Sequence, residues 1–358
     1  MLKHKKALFF VIGIAVFFQT FFNGFVMDDQ GLILKNLNVH SIGNLFNFFS
    51  GSIFDYGGTL GGIYYRPLMT TYFSLVYTLF GPYPFFYHVF QLVLHITTSI
   101  LVFALFKKII KENIAFVLAV IFLVHPIQAE TVSYNAAIQD ILFVLFGLIF
   151  LLKLLEKREG YWHIVPYVFL ILSVLSKEAG FLFIPVGLLF TSIYSRKNIL
   201  FHIFASFGVA LFYIVTRFGV AKIMMHTTNE FPMMRLNLTE RALSIPGIIF
   251  YYIKTFLFPL HLVSVQSWVV KEINFNQFFF PLLCILVFFG TLVSLGFKNR
   301  TNKKNSYYLL IFGAWLILGL LLHIQIVPLD LTVSDRWFYF PLIGLLGIFG
   351  ILVENLKL

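Results

Sequence analysis

Charged residues in this chain stand in short groups, and long apolar runs between them define the elements. Residues 7–27 carry no charge over 21 positions, enough for a helix to cross the roughly 30 Å hydrocarbon core of a bilayer. Similar runs at 84–106, 114–126, 138–153, 163–177, 180–195, 199–217, 277–297, 306–326 and 337–353 predict nine more crossings, ten in all. An eleventh stretch, RALSIPGIIFYYIKTFLF at 241–258, is interrupted by Arg241, Pro246 and Lys254.

Loop charge decides how that stretch is read. If 241–258 does not cross, the inner segments 1–6, 107–113, 153–162, 196–198, 298–305 and 354–358 hold 16 of the 26 lysines and arginines. If it crosses, KNRTNKKN at 298–305 falls outside, against the positive-inside rule. The expectation is therefore ten spans with both termini inside, and 241–258 lying on or re-entering from the outer face. Lys3, Lys5 and Lys6 hold the N-terminus inside, and the missing small-residue cleavage pattern predicts a retained first helix. Eleven of the 15 acidic residues then lie outside, together with the long loops 27–83 and 218–276. Chemistry is expected on that side.

Composition agrees. The chain of 358 residues is 59% hydrophobic and 11% charged, against roughly 25% charged for soluble domains. It reads as an integral membrane protein with one polytopic domain over 1–358. Its single cysteine, Cys284, excludes an intramolecular disulfide.

The polar residues outside the spans are few. Asp28 and Asp29 in FVMDDQG follow the first apolar run, where the helix dipole does not favour them. One of them either caps the short helix QGLILKNL or serves as a general base, its ionisation discouraged by its neighbour. Arg66 precedes Pro67, a helix-starting residue, and either snorkels to the interface or offers donors to a phosphate. Tyr72, Phe73 and Tyr77 on that helix predict an interfacial position. His88, Gln91 and His95 share one helix face, a pattern that also fits a polar seam between helices. HPIQAETVSYNAAIQD offers His125, Glu130 and Asp140 without the tight spacing of a metal site. LSKEAG places Lys177 beside Glu178, an expected ion pair. SDRWFYFP supplies Asp335 and Arg336, with Trp337 and Tyr339 as aromatic-belt candidates.

Taken in order, FVMDD, YYRPL, YHVFQLVLH, HPIQAETV, LSKEAG, YYIKTFLFPLHL and SDRWFYFPLIG resemble the GT-C superfamily of membrane glycosyltransferases. Within it they most resemble the membrane domain of the transmembrane and tetratricopeptide-repeat O-mannosyltransferases. The resemblance implies an all-α bundle of about ten transmembrane helices whose long first extracytoplasmic loop carries interfacial helices. It implies transfer of a mannose-like hexose from a polyprenyl-phosphate-linked donor to an acceptor hydroxyl on the extracytoplasmic face. Asp28 would be the base and Asp29 would orient it or the sugar. Arg66 would hold the lipid phosphate, with His88, His95, Lys177 and Arg336 as further donor contacts. His125, Glu130, Asp140, Glu178 and Asp335 are acceptor or structural positions. No cofactor is required, although Asp28 and Asp29 offer a divalent metal two carboxylates.

The sequence departs from the family's pattern in places. Gln91 stands where the family usually has Asn, Ile138 where it commonly has Arg, and Asp335 where it has Glu. No tetratricopeptide array follows by Leu358, which leaves protein, lipid and envelope-polymer acceptors all open. The rival reading from another class is a transporter or flippase for a lipid-linked sugar. It predicts charges inside spans and two related halves, neither of which the sequence displays. The Lys, Asn, Phe and Ile bias points to a bacterial cell membrane, and no nucleic-acid partner is expected.

Overall fold

The first apolar run ends earlier than its composition requires. In the computed structural model, the helix His4–Phe22 tightens in its last turn and stops at Asn23, whose backbone is extended. Asn23 and Gly24 are poor helix residues, and they release the chain into a loop before the two acids. The structure describes residues 2–56, 59–156, 163–194, 196–224, 231–298 and 303–355. The inner-loop expectations for 157–162, 299–302 and 356–358, and part of the outer loop at 225–230, lie outside them.

Among the described residues, seven helices are long and apolar enough to cross a membrane: His4–Phe22, Pro84–Phe106, Asn135–Leu154, Ile199–Val220, Phe275–Phe297, Lys303–Leu321 and Asp335–Glu354. An eighth crossing is available if Glu112–Val124 and Pro126–Ser133, bent by 49° where Pro126 interrupts the ladder, act as one. Val165–Ser176 and Glu178–Tyr194 are apolar but shorter, separated by an extended Lys177. Residues 245–257 form a 13-residue amphipathic helix that does not reach spanning length.

The described chain divides into two compact units, Met1–Leu105 with Thr131–His226, and Phe106–Glu130 with Thr227–Leu358. In the first, the segment after the first helix runs through short helical turns and a small hairpin pairing Phe54–Tyr56 with Thr59–Gly61. It then enters the helix Pro67–Phe80, with Pro67 in the first turn as expected. The aromatics of that helix all have partners within the protein. Phe73 is buried, the Tyr72 hydroxyl donates to the Tyr87 carbonyl at 3.2 Å, and Tyr77 stacks on His40 at 3.9 Å. Trp337 and Tyr339 in the second unit are likewise buried, Trp337 stacked on His323. An aromatic belt therefore does not describe Phe73, Trp337 or Tyr339.

In the second unit Lys303–Leu321 packs along Tyr339–Asn355 at backbone distance. A Cβ added at Gly344 would lie 2.6 Å from the Leu316 nitrogen and 2.9 Å from the Phe312 oxygen. No side chain fits without moving a helix. Gly344→Ala should therefore destabilise the protein by about 1–3 kcal/mol, as overpacking does. Gly313→Ala in the neighbouring helix meets nothing within 4 Å and should be neutral or stabilising, since glycine weakens helix interiors. Melting temperatures in detergent check both: Gly344→Ala should fall below wild type and Gly313→Ala should not.

Candidate active site

Adjacent carboxylates need not share an environment, and here they do not. Asp29 is fully buried while Asp28 is exposed. The Asp29 carboxylate accepts from the Ala136 N–H at 2.8 Å, the Asn135 Nδ2 at 3.2 Å and the Val26 N–H at 3.2 Å. It makes no side-chain bond to the short helix Gln30–Leu34 that follows, so the capping alternative fails. Its donors instead tie the loop after the first helix to the start of the helix Asn135–Leu154. Met27, between loop and acids, has φ +47°, a left-handed conformation costly for a side chain with a Cβ.

Asp28 hangs from this anchor. Its N–H donates to the Tyr134 hydroxyl at 3.3 Å, and its side chain is exposed. The 131–134 segment that presents Tyr134 is held from the helix Pro84–Phe106. The Gln91 Nε2 donates to the Thr131 and Tyr134 carbonyls, both at 2.7 Å. His88 is buried 3.5 Å from the Asn135 Nδ2, and His95 is buried edge-on to Phe17. The polar-seam description fits both histidines as placed.

A second set of side chains in the same unit collects charge. The Arg66 Nε donates to Glu178 Oε2 at 3.1 Å, with its guanidinium 4.1 Å over the Tyr64 ring. Arg217 donates to the other Glu178 oxygen at 3.1 Å, to the Tyr213 hydroxyl at 3.1 Å and to the Ile63 carbonyl at 2.9 Å. Lys177 pairs with Asp140 across buried surface. The expected Lys177–Glu178 pair is thus corrected. The extended backbone at Lys177 sends the two side chains apart, each to a different partner. Arg66 does not snorkel but is buried. Burial alone would lower its proton affinity, and the facing Glu178 carboxylate more than restores it. Among the described residues, these three cations meet two carboxylates, and of the Arg66 nitrogens Nε donates to Glu178.

The remaining predicted residues gather in the second unit. Glu130 accepts from the Ser334 hydroxyl at 2.8 Å and the Arg336 N–H at 3.0 Å, with the Arg336 side chain 3.5 Å away. Asp335 accepts from the Tyr251 hydroxyl at 2.5 Å, and the Tyr252 hydroxyl donates to the Ser334 carbonyl at 3.2 Å. His125 accepts the Ile127 N–H at Nδ1 and so donates from Nε2 to the Phe256 carbonyl at 3.0 Å. That bonding makes it a structural residue. Among the described residues no group of three or more His, Cys, Asp or Glu is placed to hold a metal ion.

Asn135, Tyr134, Arg217, Ser334 and Tyr251 escaped sequence reasoning. Only Arg217 left a signal there, as a lone cation at the far end of the apolar run 199–217.

Burial pushes the Asp29 carboxyl up from 3.8 to about 6, against the lowering by its three hydrogen bonds. The folded protein then binds this proton more tightly than the unfolded chain between those two values. Stability must fall as pH rises through that window, by about 3 kcal/mol from this group once it is fully ionised. Melting temperatures of wild type and Asp29→Asn across pH 4.5–7.5 test this. The wild type should lose stability with rising pH, and the variant's profile should be flatter.

Known proteins match parts of this arrangement. Residues 65–218 match the dolichyl-phosphate-mannose-protein mannosyltransferase family, less than half of the chain. That segment holds Arg66, Asp140, Lys177, Glu178 and Arg217 but neither Asp28 nor Asp29. The protein O-mannosyl-transferase F38B6.6 of Caenorhabditis elegans is 31% identical over 170 residues, 46% of this chain and 24% of that protein. The protein O-mannosyl-transferase TMTC1 of Homo sapiens is 33% identical over 141 residues, 38% of this chain and 16% of that protein. The chain thus spans a quarter or less of these relatives' length. Over 98% of this chain, the fold is similar to that of ArnT from Cupriavidus metallidurans bound to undecaprenyl phosphate. That likeness has a TM-score of 0.54 at 15% identity and covers 60% of the ArnT chain.

Proposed function

The chain is an integral membrane protein with the GT-C glycosyltransferase fold, and from that premise we propose that it transfers a mannose-like hexose from a polyprenyl-phosphate-linked donor to an acceptor hydroxyl on the extracytoplasmic face. The observation that carries this reading is the division of the acid pair. Asp29 is buried and hydrogen-bonded as an anchor, and Asp28 is held beside it with its side chain exposed.

The reaction is a single inverting displacement. Asp28 takes the proton of the acceptor hydroxyl, the freed oxygen forms a bond to the anomeric carbon, and the bond from that carbon to the lipid phosphate breaks. The leaving phosphate gains negative charge as it departs. Arg66, together with Arg217 and Lys177, neutralises it. Asp29 contributes by fixing the loop, not by proton transfer. The bound lipid named for ArnT and the donor named by the matching family support a polyprenyl-phosphate leaving group. Pairing that phosphate with cationic side chains provides its neutralisation without a metal ion. Transfer is accordingly expected to survive treatment with a chelator.

The test is donor consumption by purified protein supplied with radiolabelled polyprenyl-phosphate mannose or glucose and an extract of candidate acceptors. Asp28→Asn should lower turnover by at least ~100-fold, the contribution expected of a positioned base, with no change in melting temperature because the side chain is exposed. Unchanged turnover in a folded variant would remove Asp28 from this role.

A further inference from the structure

Residues 257–265, LFPLHLVSV, form a loop whose two ends are fixed and whose middle is apolar and bare. One end leaves the helix Ile245–Leu257. That helix sits against the start of the span Phe275–Phe297, with the Phe250 and Phe280 rings 5.6 Å apart. The other end is pinned by Gln266, which bridges to Val333 and accepts the Thr332 N–H at 2.8 Å. Just beyond, the Trp268 N–H donates to the Thr332 hydroxyl at 2.9 Å and the Val270 N–H donates to the Ser244 hydroxyl at 3.0 Å. Between these anchors the Leu260 N–H turns back to the Phe258 carbonyl at 2.8 Å across Pro259, which has no N–H of its own.

The side chains this loop presents are wrong for water. Phe258 is 65% and Leu260 79% exposed, and Leu257, Leu262, Val263 and Val265 are exposed as well. Such a patch on a membrane protein requires a cover. The adjoining span Phe275–Phe297 identifies it, because only 6% of the residues in that helix's most apolar stretch are buried in protein, and its exposed apolar side chains are those a bilayer covers. The loop's apolar surface is continuous with that lipid-facing surface through Ile273, Phe275 and Phe279, all exposed. Depth follows from the backbone. Lacking a regular ladder, the loop cannot enter the hydrocarbon core, while Lys254, His261 and Lys271, all exposed, suit the headgroup level.

We propose that residues 257–265 are a wedge inserted into the phospholipid headgroup and upper acyl layer at the Phe275 end of that span. The backbone is held by protein and the side chains by lipid. This is independent of the chemistry assigned to Asp28.

The experiment uses the full chain in phospholipid nanodiscs. Cys284→Ser removes the only cysteine, and Leu260→Cys then carries an environment-sensitive fluorophore. Lipid bearing a doxyl group high on its acyl chain should quench most of the emission, and aqueous iodide should quench little. A fluorophore on Lys271→Cys should respond in the opposite sense. Phe258→Cys repeats the measurement should the Leu260 variant not remain monodisperse. Quenching by iodide but not by doxyl lipid at positions 258 and 260 would overturn the proposal.

Discussion

A carboxylate taken out of water must be given donors, and Asp29 receives three from separate points of the chain. The loop after the first helix, the side chain of Asn135 and the backbone of Ala136 all converge on it. That convergence explains much else in the first unit. Met27 keeps a left-handed backbone within a loop closed by the Val26 N–H donating to the Asp29 carboxylate. Asp28 cannot follow Asp29 inward, since successive side chains diverge. It is left on the outside with its N–H on Tyr134. Gln91 in turn fixes the segment that presents Tyr134. One buried acid thereby orients an exposed one.

The charge cluster obeys the same constraint with a different outcome. Buried ions are costly unless paired, and Arg66, Arg217 and Lys177 all find carboxylates. Because Glu178 serves two arginines, the three cations meet only two carboxylates among the described residues. A structural network would gain by being neutral. Three buried cations on two carboxylates are instead suited to an anion that arrives and leaves, and a lipid phosphate has that property. In the second unit Glu130 pairs with Arg336 and Asp335 accepts a hydrogen bond from the Tyr251 hydroxyl, so this cluster fastens the start of the last span.

Much of this was legible in the chain. Apolar runs between charges locate the long helices because a bilayer imposes both length and composition, and Asp28, Asp29 and Arg66 stand out as charges flanking those runs. Pairing was not legible. Lys177 and Glu178 are neighbours in sequence, yet an extended residue between two helices sends them to Asp140 and Arg66. Asn135 and Tyr134 carry no charge and sit in a motif that advertises Glu130 and Asp140, so nothing marks them as holding the acid pair. Phe73 reads as interfacial although it is buried, because burial inside protein and burial at a membrane surface require the same residue types.

The central claim is that acid and cations divide the work, Arg66 holding the lipid phosphate and Asp28 moving the proton. Titrating purified wild type, Asp28→Asn and Arg66→Gln with undecaprenyl phosphate tests it directly. The account predicts that Asp28→Asn binds as wild type does and that Arg66→Gln binds at least ~10-fold more weakly, the loss expected for one charge-assisted contact. Equal binding by Arg66→Gln and wild type, with both folded, would contradict it.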